Sequence, residues 1–224
     1  MKISSLGKYL SGQFSGFSQT GFNLSQMKQI ANVTGQTPAI LGCDYSYGWD
    51  HTIPPQALID HTCNPHLIEH SNQNGIVQVS NHLPNPSSPD AGDVLNRLDL
   101  VFSDLLKPET KSGQTYRSLV DIVAEGLDEL QQANVTVLYR PFHEMNGGWF
   151  WWGAQNPAEY HAVWIDLFNY FTQQKKLHNL LWVYAPGYAA PNVTLYYPGD
   201  DYVDIVALDV YVDNPVSEIL SFND

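Results

Sequence analysis

The sequence predicts an α/β fold built on a parallel sheet, the (β/α)8 barrel, of which 224 residues supply about six units. Three observations predict it. Short apolar, β-branched segments alternate with segments of helical period, the pattern of parallel strands joined by crossover helices. Polar side chains gather at the C-terminal ends of the strand segments: Asp44, His82, His143, Glu144, Asp209 and Tyr211. A barrel builds its site there. Finally, no glycine-rich phosphate fingerprint follows the first strand, which argues against a dinucleotide-binding sheet.

The elements follow in order. Lys8–Phe14 is the first strand candidate. Asn23–Val33 reads as a helix, with Asn23 a candidate N-cap and Gly35 a stop. Pro38–Tyr45 (PAILGCDY) is an apolar run of buried-strand length, and Ile59–Asn72 is helical in part. Gly75–Asn81 (GIVQVSN) is the third strand, with His82 at its end. Residues 83–92 are rich in Pro, Ser and Asn and form a loop, and Val94–Leu106 reads as helical. In Tyr116–Ala133 the residues Leu119, Ile122, Val123, Leu127 and Leu130 recur on one helix face. Val135–Phe142 is a strand running into His143 and Glu144. Ala158–Gln174 is a helix with Tyr160, Trp164, Leu167, Phe168 and Phe171 inward. Leu180–Tyr184 and Asp204–Tyr211 (DIVALDVY) are the fifth and sixth strands, and Val216–Phe222 reads as the helix after them. No repeat or linker divides the chain, so residues 1–224 read as one domain.

Composition excludes several classes. Ten basic against 23 acidic residues give a net charge of −13, a surface that repels phosphate backbones, so no nucleic-acid partner is expected. Only 15% of residues are charged and 12% are aromatic, which excludes a disordered acidic tail. No apolar run approaches the roughly 20 residues needed to span a bilayer, and MKISSLGKYLSG holds no signal-peptide core. Asn23, Asn32, Asn134 and Asn192 each begin an N-x-S/T sequon. Cys43 and Cys63 are the two cysteines, readable as one disulfide or as two buried thiols.

Most of the chemistry lies in Tyr139–Gly153 (YRPFHEMNGGWFWWG). A carboxyl at a strand end, next to aromatics, can have its pKa raised by desolvation, and a protonated acid can donate to a leaving oxygen. Glu144 is that candidate, bracketed by Arg140, His143 and Asn146. Trp149, Trp151 and Trp152 sit among Gly147, Gly148 and Gly153, which suits a loop, although at least one of the three should be core. An acid beside flat aromatic faces suits a sugar ring. A metal site fits poorly. His143-Glu144 opens like a zinc-protease motif, but Gly147 stands where the second His is needed. His61, Cys63, His66 and His70 match no standard zinc spacing. No G-x-S-x-G nucleophile elbow is present.

Arg140–Gly153, with Arg, then His-Glu-Met-Asn-Gly, then a Trp-rich continuation, resembles the acid/base signature of glycoside hydrolase family 26, the endo-β-1,4-mannanases and their relatives. Leu10–Gly16 resembles that family's first strand, Pro38–Asp44 its second and Asp204–Asp213 its sixth, and His82 falls at its substrate-binding histidine. The resemblance implies a (β/α)8 TIM barrel and a retaining hydrolysis of β-1,4-mannosidic bonds, with Glu144 the general acid/base. It makes His82, Arg140, His143, Asn146, Trp149, Asp209 and Tyr211 substrate-binding groups, Asp209 and Tyr211 also contacting the nucleophile. It implies no cofactor and no metal, a polysaccharide partner, an extracellular location, and a monomer when complete. The nucleophile is expected on strand seven, beyond residue 224. Glu218, the one late glutamate, falls in the outward helix Val216–Phe222. Two alternatives stand beside this reading: a carbohydrate-binding protein without catalysis, or a β-glycanase acting on mixed-linkage glucan or xylan.

Overall fold

The computed structural model describes residues 9–18, 21–88, 90–95 and 100–211. Strands and helices alternate along it: β1 (Gly12–Phe17), α1 (Ser25–Thr34), β2 (Ile40–Tyr47), α2 (Asn64–Asn72), β3 (Ile76–His82), α3 (Lys111–Gln132), β4 (Val137–Arg140), α4 (Pro157–Asn169), β5 (Leu180–Tyr184) and β6 (Ile205–Val206). All neighbouring strands pair in parallel, in the order β1-β2-β3-β4-β5-β6. Each crossover therefore steps to the next position without reversing, the winding of a (β/α)8 barrel and not of a doubly wound sheet. The fold is six strands of such a barrel.

Strand alternation separates two faces. Leu41, Cys43 and Tyr45 align with Val77 and Val79, then with Val137 and Tyr139, then with Trp182. These side chains are buried beneath the helices with Leu119, Val123, Leu127 and Leu130 of α3 and Tyr160, Trp164 and Leu167 of α4. The opposite face carries Gly42, Asp44, Gln78, Ser80 and Arg140. Pairing puts Phe17 beside Asp44, Asp44 beside Ser80 and Ser80 beside Arg140, so one row at the strands' C-terminal ends assembles the polar floor.

Helix ends follow local chemistry. Thr110 caps α3 by accepting from Gly113 N at 3.0 Å, and Asn156 caps α4 by accepting from Ala158 N at 2.9 Å, with Pro157 in the first turn. Gly35 ends α1 in the left-handed region, at φ 71°. Cys43 and Cys63 form a disulfide that joins β2 to the start of α2.

Several expectations are corrected. Asn23 is not the N-cap of α1. That position is Leu24, and the Asn23 amide accepts from Ser25 N one turn-residue earlier. The expected helix Val94–Leu106 reduces, among the described residues, to a short 3₁₀ turn at Phe102–Leu106. The Val94 backbone instead bridges two loops, donating to Gly48 O and accepting from Trp151 N. β4 is shorter than Val135–Phe142 because Phe142 and Glu144 turn the chain at positive φ. β6 keeps two regular residues of the expected eight. Its bonds to the β5 side continue irregularly, Ala207 N to Tyr184 O and Asp209 N to Pro186 O, as far as Asp209. Val216–Phe222, with Glu218, lies outside the described residues, as does Lys8 of the expected first strand. No helix among the described residues is long and apolar enough to cross a membrane.

Candidate active site

Glu144 follows β4 at φ 55°, a left-handed conformation that costs a non-glycine residue on the order of 1–3 kcal/mol. Backbone bonds from Glu144 N to Ala185 O (2.7 Å) and from Gly147 N to Glu144 O (2.9 Å) hold it there. The side chain is 9% exposed. Its Oε2 accepts from Trp149 Nε1 at 2.7 Å. Burial pushes the Glu144 carboxyl above the ordinary glutamate range, and the Asp209 charge adds to that. The Trp149 bond, Arg140 and His82 oppose the rise without cancelling it. A carboxylic acid that holds its proton longer than usual is suited to general acid work.

Of the three tryptophans, Trp151 and Trp152 are fully buried, donating to Leu83 O at 2.6 Å and to His143 O at 2.7 Å. They are core, and they brace the turn that carries Glu144. Trp149 alone reaches the surface, 41% exposed. Its ring lies flat on Gly147, where a Cβ would sit 2.3 Å from the indole, so only glycine leaves room for this pose.

Arg140, at the end of β4, donates from Nη1 to Asp209 Oδ2 at 2.6 Å, with both side chains about one-fifth exposed. Burial raises the Asp209 carboxyl above the aspartate range, and Arg140 holds part of that back. Glu144, Trp149, Gly187, Tyr188, Asp209 and Tyr211 line a pocket of about 220 Å³. Tyr211 is largely open to solvent at its mouth.

His82 and His143 form the neighbouring wall, their Nε2 atoms 3.0 Å apart. Phe150 and Trp49 pack on His82, and Phe150 stacks on Trp152 with centroids 4.5 Å apart. Burial, with Arg140 and His82 nearby, pushes the His143 imidazole well below its usual pKa and so keeps it neutral. Asn146 sits differently from the other expected sugar contacts. Its Nδ2 donates to Gly187 O, Ala190 O and Pro191 O, and its Oδ1 accepts from Gly187 N. The amide thus ties the loop after β5 to the turn after β4.

The structure brings Glu144, Trp149, Asp209 and Tyr211 to one pocket, pairs Arg140 with Asp209, and sets His82 with His143 beside it. Sequence reasoning missed Tyr188 and Gly187, which lie in a loop without a marked pattern. It also missed Trp49, which packs on His82. The histidines weighed as metal ligands go elsewhere: His61 Nδ1 to Glu129, His70 Nε2 to Ala39 O, and His66 onto the Phe22 ring. Among the described residues no three His, Cys, Asp or Glu side chains are grouped to hold a metal ion.

The family model for glycosyl hydrolase family 26 matches residues 2–224. Mannan endo-1,4-beta-mannosidase A and B of Caldalkalibacillus mannanilyticus is 42% identical, over 96% of this chain and 44% of its own length. A mannan endo-1,4-beta-mannosidase of Bacillus subtilis is 38% identical, over 93% of this chain and 60% of its own length. The chain thus spans about half of these curated relatives. Among solved structures, the YdhT protein from Bacillus subtilis superposes with a TM-score of 0.86 at 34% identity, covering 97% of this chain and 70% of that one. Bacillus subtilis mannanase man26 superposes with a TM-score of 0.85 at 34% identity, covering 96% and 69%.

Proposed function

Because the chain belongs to glycosyl hydrolase family 26, we propose that it carries the acid/base half of a retaining β-1,4-mannanase acting on mannan-type polysaccharides outside the cell. The observation that carries this reading is Glu144, a nearly buried carboxyl with a raised pKa, hydrogen-bonded to a half-exposed tryptophan in an open pocket. In the first step Glu144 donates its proton to the glycosidic oxygen as a carboxylate attacks the anomeric carbon. In the second it takes a proton from the water that releases the sugar. Such a pair of carboxyls stands about 5–5.5 Å apart. The family resemblance implies an attacking carboxylate beyond residue 224; Asp209, whose charge reaches Glu144, is ion-paired with Arg140. Trp149 offers its face to a sugar ring, with Tyr211, Arg140, Asp209 and His82 as polar contacts.

The same pairing of Asp209 favours a second reading, a sugar-binding cleft without turnover. Hydrolysis separates the two. The intact protein is incubated with β-1,4-mannan, mixed-linkage glucan and xylan, and fresh products are followed by proton NMR. Mannan oligosaccharides released with retained β configuration support the proposal. Binding of mannan without hydrolysis supports the second reading, and preferred cleavage of glucan or xylan reassigns the substrate.

A further inference from the structure

Asp44, in the C-terminal half of β2, is fully buried and has no place in the chemistry described above. Its two oxygens are used differently. Oδ1 accepts from two backbone N–H groups, Ser46 N and His82 N, each at 2.9 Å. Oδ2 accepts from the Ser80 hydroxyl at 2.7 Å and faces His82 Nδ1 at 2.8 Å. Backbone amides only donate, so Oδ1 is fixed as the acceptor and the carboxyl group cannot turn over. Burial raises the Asp44 carboxyl, but His82 and Ser80 outweigh it and hold the group below the ordinary aspartate range. An ionised carboxylate accepts only, so it requires a proton on His82 Nδ1.

That requirement propagates. With its Nδ1–H donated to Asp44, His82 can offer Nε2 as an acceptor. The facing Nε2 of His143, 3.0 Å away, must then carry the proton between them. His143 Nδ1 is left as a bare lone pair, and it has no hydrogen-bond partner among the described residues. An unmatched buried acceptor is better tolerated than an unmatched buried N–H. The reverse arrangement would bury an unpaired N–H at that atom, in the residue just before Glu144.

We propose that Asp44 is a positioning residue, which sets the tautomers of His82 and His143 through the chain Asp44 Oδ2–His82 Nδ1–His82 Nε2–His143 Nε2. It keeps the histidine wall beside Glu144 in one hydrogen-bonding state. This rests on the proposed hydrolase for its purpose, but its geometry does not depend on turnover.

The test reads the ring protons directly. In the intact protein with ¹⁵N-labelled histidine, one-bond nitrogen–proton couplings locate each ring proton. The expected wild-type pattern is Nδ1–H on His82 and Nε2–H on His143. Asp44→Asn keeps an oxygen for Ser46 N and His82 N and must therefore turn an NH₂ toward His82 Nδ1. Both tautomers should flip, His143 losing Nε2–H and gaining Nδ1–H, and kcat on mannan should fall more than KM rises. Ser80→Ala removes a different bond of Asp44 and should leave both tautomers as they were. Wild-type protein with Nε2–H on His82, or an Asp44→Asn variant with unchanged tautomers, would overturn the proposal. If Asp44→Asn does not fold, the wild-type pattern still decides. Loss of all mannan activity with the expected tautomers would count against the hydrolase reading and not against this one.

Discussion

The indole N–H of Trp149 donates to Glu144 Oε2 at 2.7 Å, while the indole face remains partly open to solvent. One side chain therefore does two things. Its N–H stabilises the charged form of the carboxyl, and its ring lines the same pocket. Burial wins, since the Glu144 pKa is raised overall. The bond keeps the acid from becoming too weak to give up its proton.

Trp149→Phe separates the two effects. It removes the donor and keeps an aromatic face. Losing a group that favours the carboxylate raises the Glu144 pKa further. The general acid must be protonated, so the alkaline limb of the kcat/KM profile on mannan should move to higher pH. A limb that stays in place or moves down would contradict the role given to this bond.

Glu144→Gln should raise thermal stability at neutral pH. The folded state lifts the Glu144 pKa, so it penalises the charge, and that penalty is present above the folded pKa and absent below the unfolded value. Melting temperatures of the variant and wild type should differ near pH 7 and converge near pH 4. A variant equally or less stable at pH 7 would show that Glu144 is not destabilised in the fold.

How much of this was legible follows from the physics of each element. Leu180–Tyr184 was delimited correctly because it is a plain apolar run between Asn179 and Pro186. Val94–Leu106 failed because its buried apolar residues among those described, Val94, Phe102 and Leu105, sit in a loop and a 3₁₀ turn and not along one helix face. Asp204–Tyr211 looked like a full strand from its alternation, but regular pairing holds only at Ile205–Val206. At the site, Glu144, Arg140 and Trp149 were readable because one short string carries them. Asn146 belongs to that string too, yet it bonds loop backbone, and residue type cannot distinguish a sugar ligand from a loop tie. The fixing of the His82 tautomer by Asp44 joins residues 38 apart and is visible only through strand register.

The Arg140–Asp209 pair makes a stability prediction. Arg140→Met leaves a largely buried Asp209 charge without its partner, which costs about 3 kcal/mol, the low end for a broken buried pair. That corresponds to a melting temperature lower by roughly 6–12 °C for a chain of this size. The penalty falls on charged Asp209, so the deficit should shrink as pH drops and the carboxyl protonates. Asp209→Asn in the same chain should recover part of it. A deficit independent of pH would mean that Arg140 acts through packing.

The Cys43–Cys63 disulfide closes a loop of sequence separation 20. Loop-closure entropy for such a span contributes about 3 kcal/mol. The double variant Cys43→Ala/Cys63→Ala should unfold at correspondingly lower denaturant, with a steeper denaturant slope as the unfolded chain expands. An unchanged midpoint would mean that the crosslink constrains little in the unfolded chain.

The central claim is that Glu144 gives its proton to the leaving oxygen, and leaving-group dependence in Glu144→Ala tests it most directly. General acid assistance is worth about 10²–10⁴-fold where the leaving group is another sugar, and little where an activated aryl group departs unaided. Measured in the intact protein, Glu144→Ala should lose that factor in kcat/KM on β-1,4-mannan and keep the first, aryl-releasing step on an activated aryl β-mannoside near the wild-type rate. Equal losses on both substrates would contradict the account and make Glu144 a binding or structural residue.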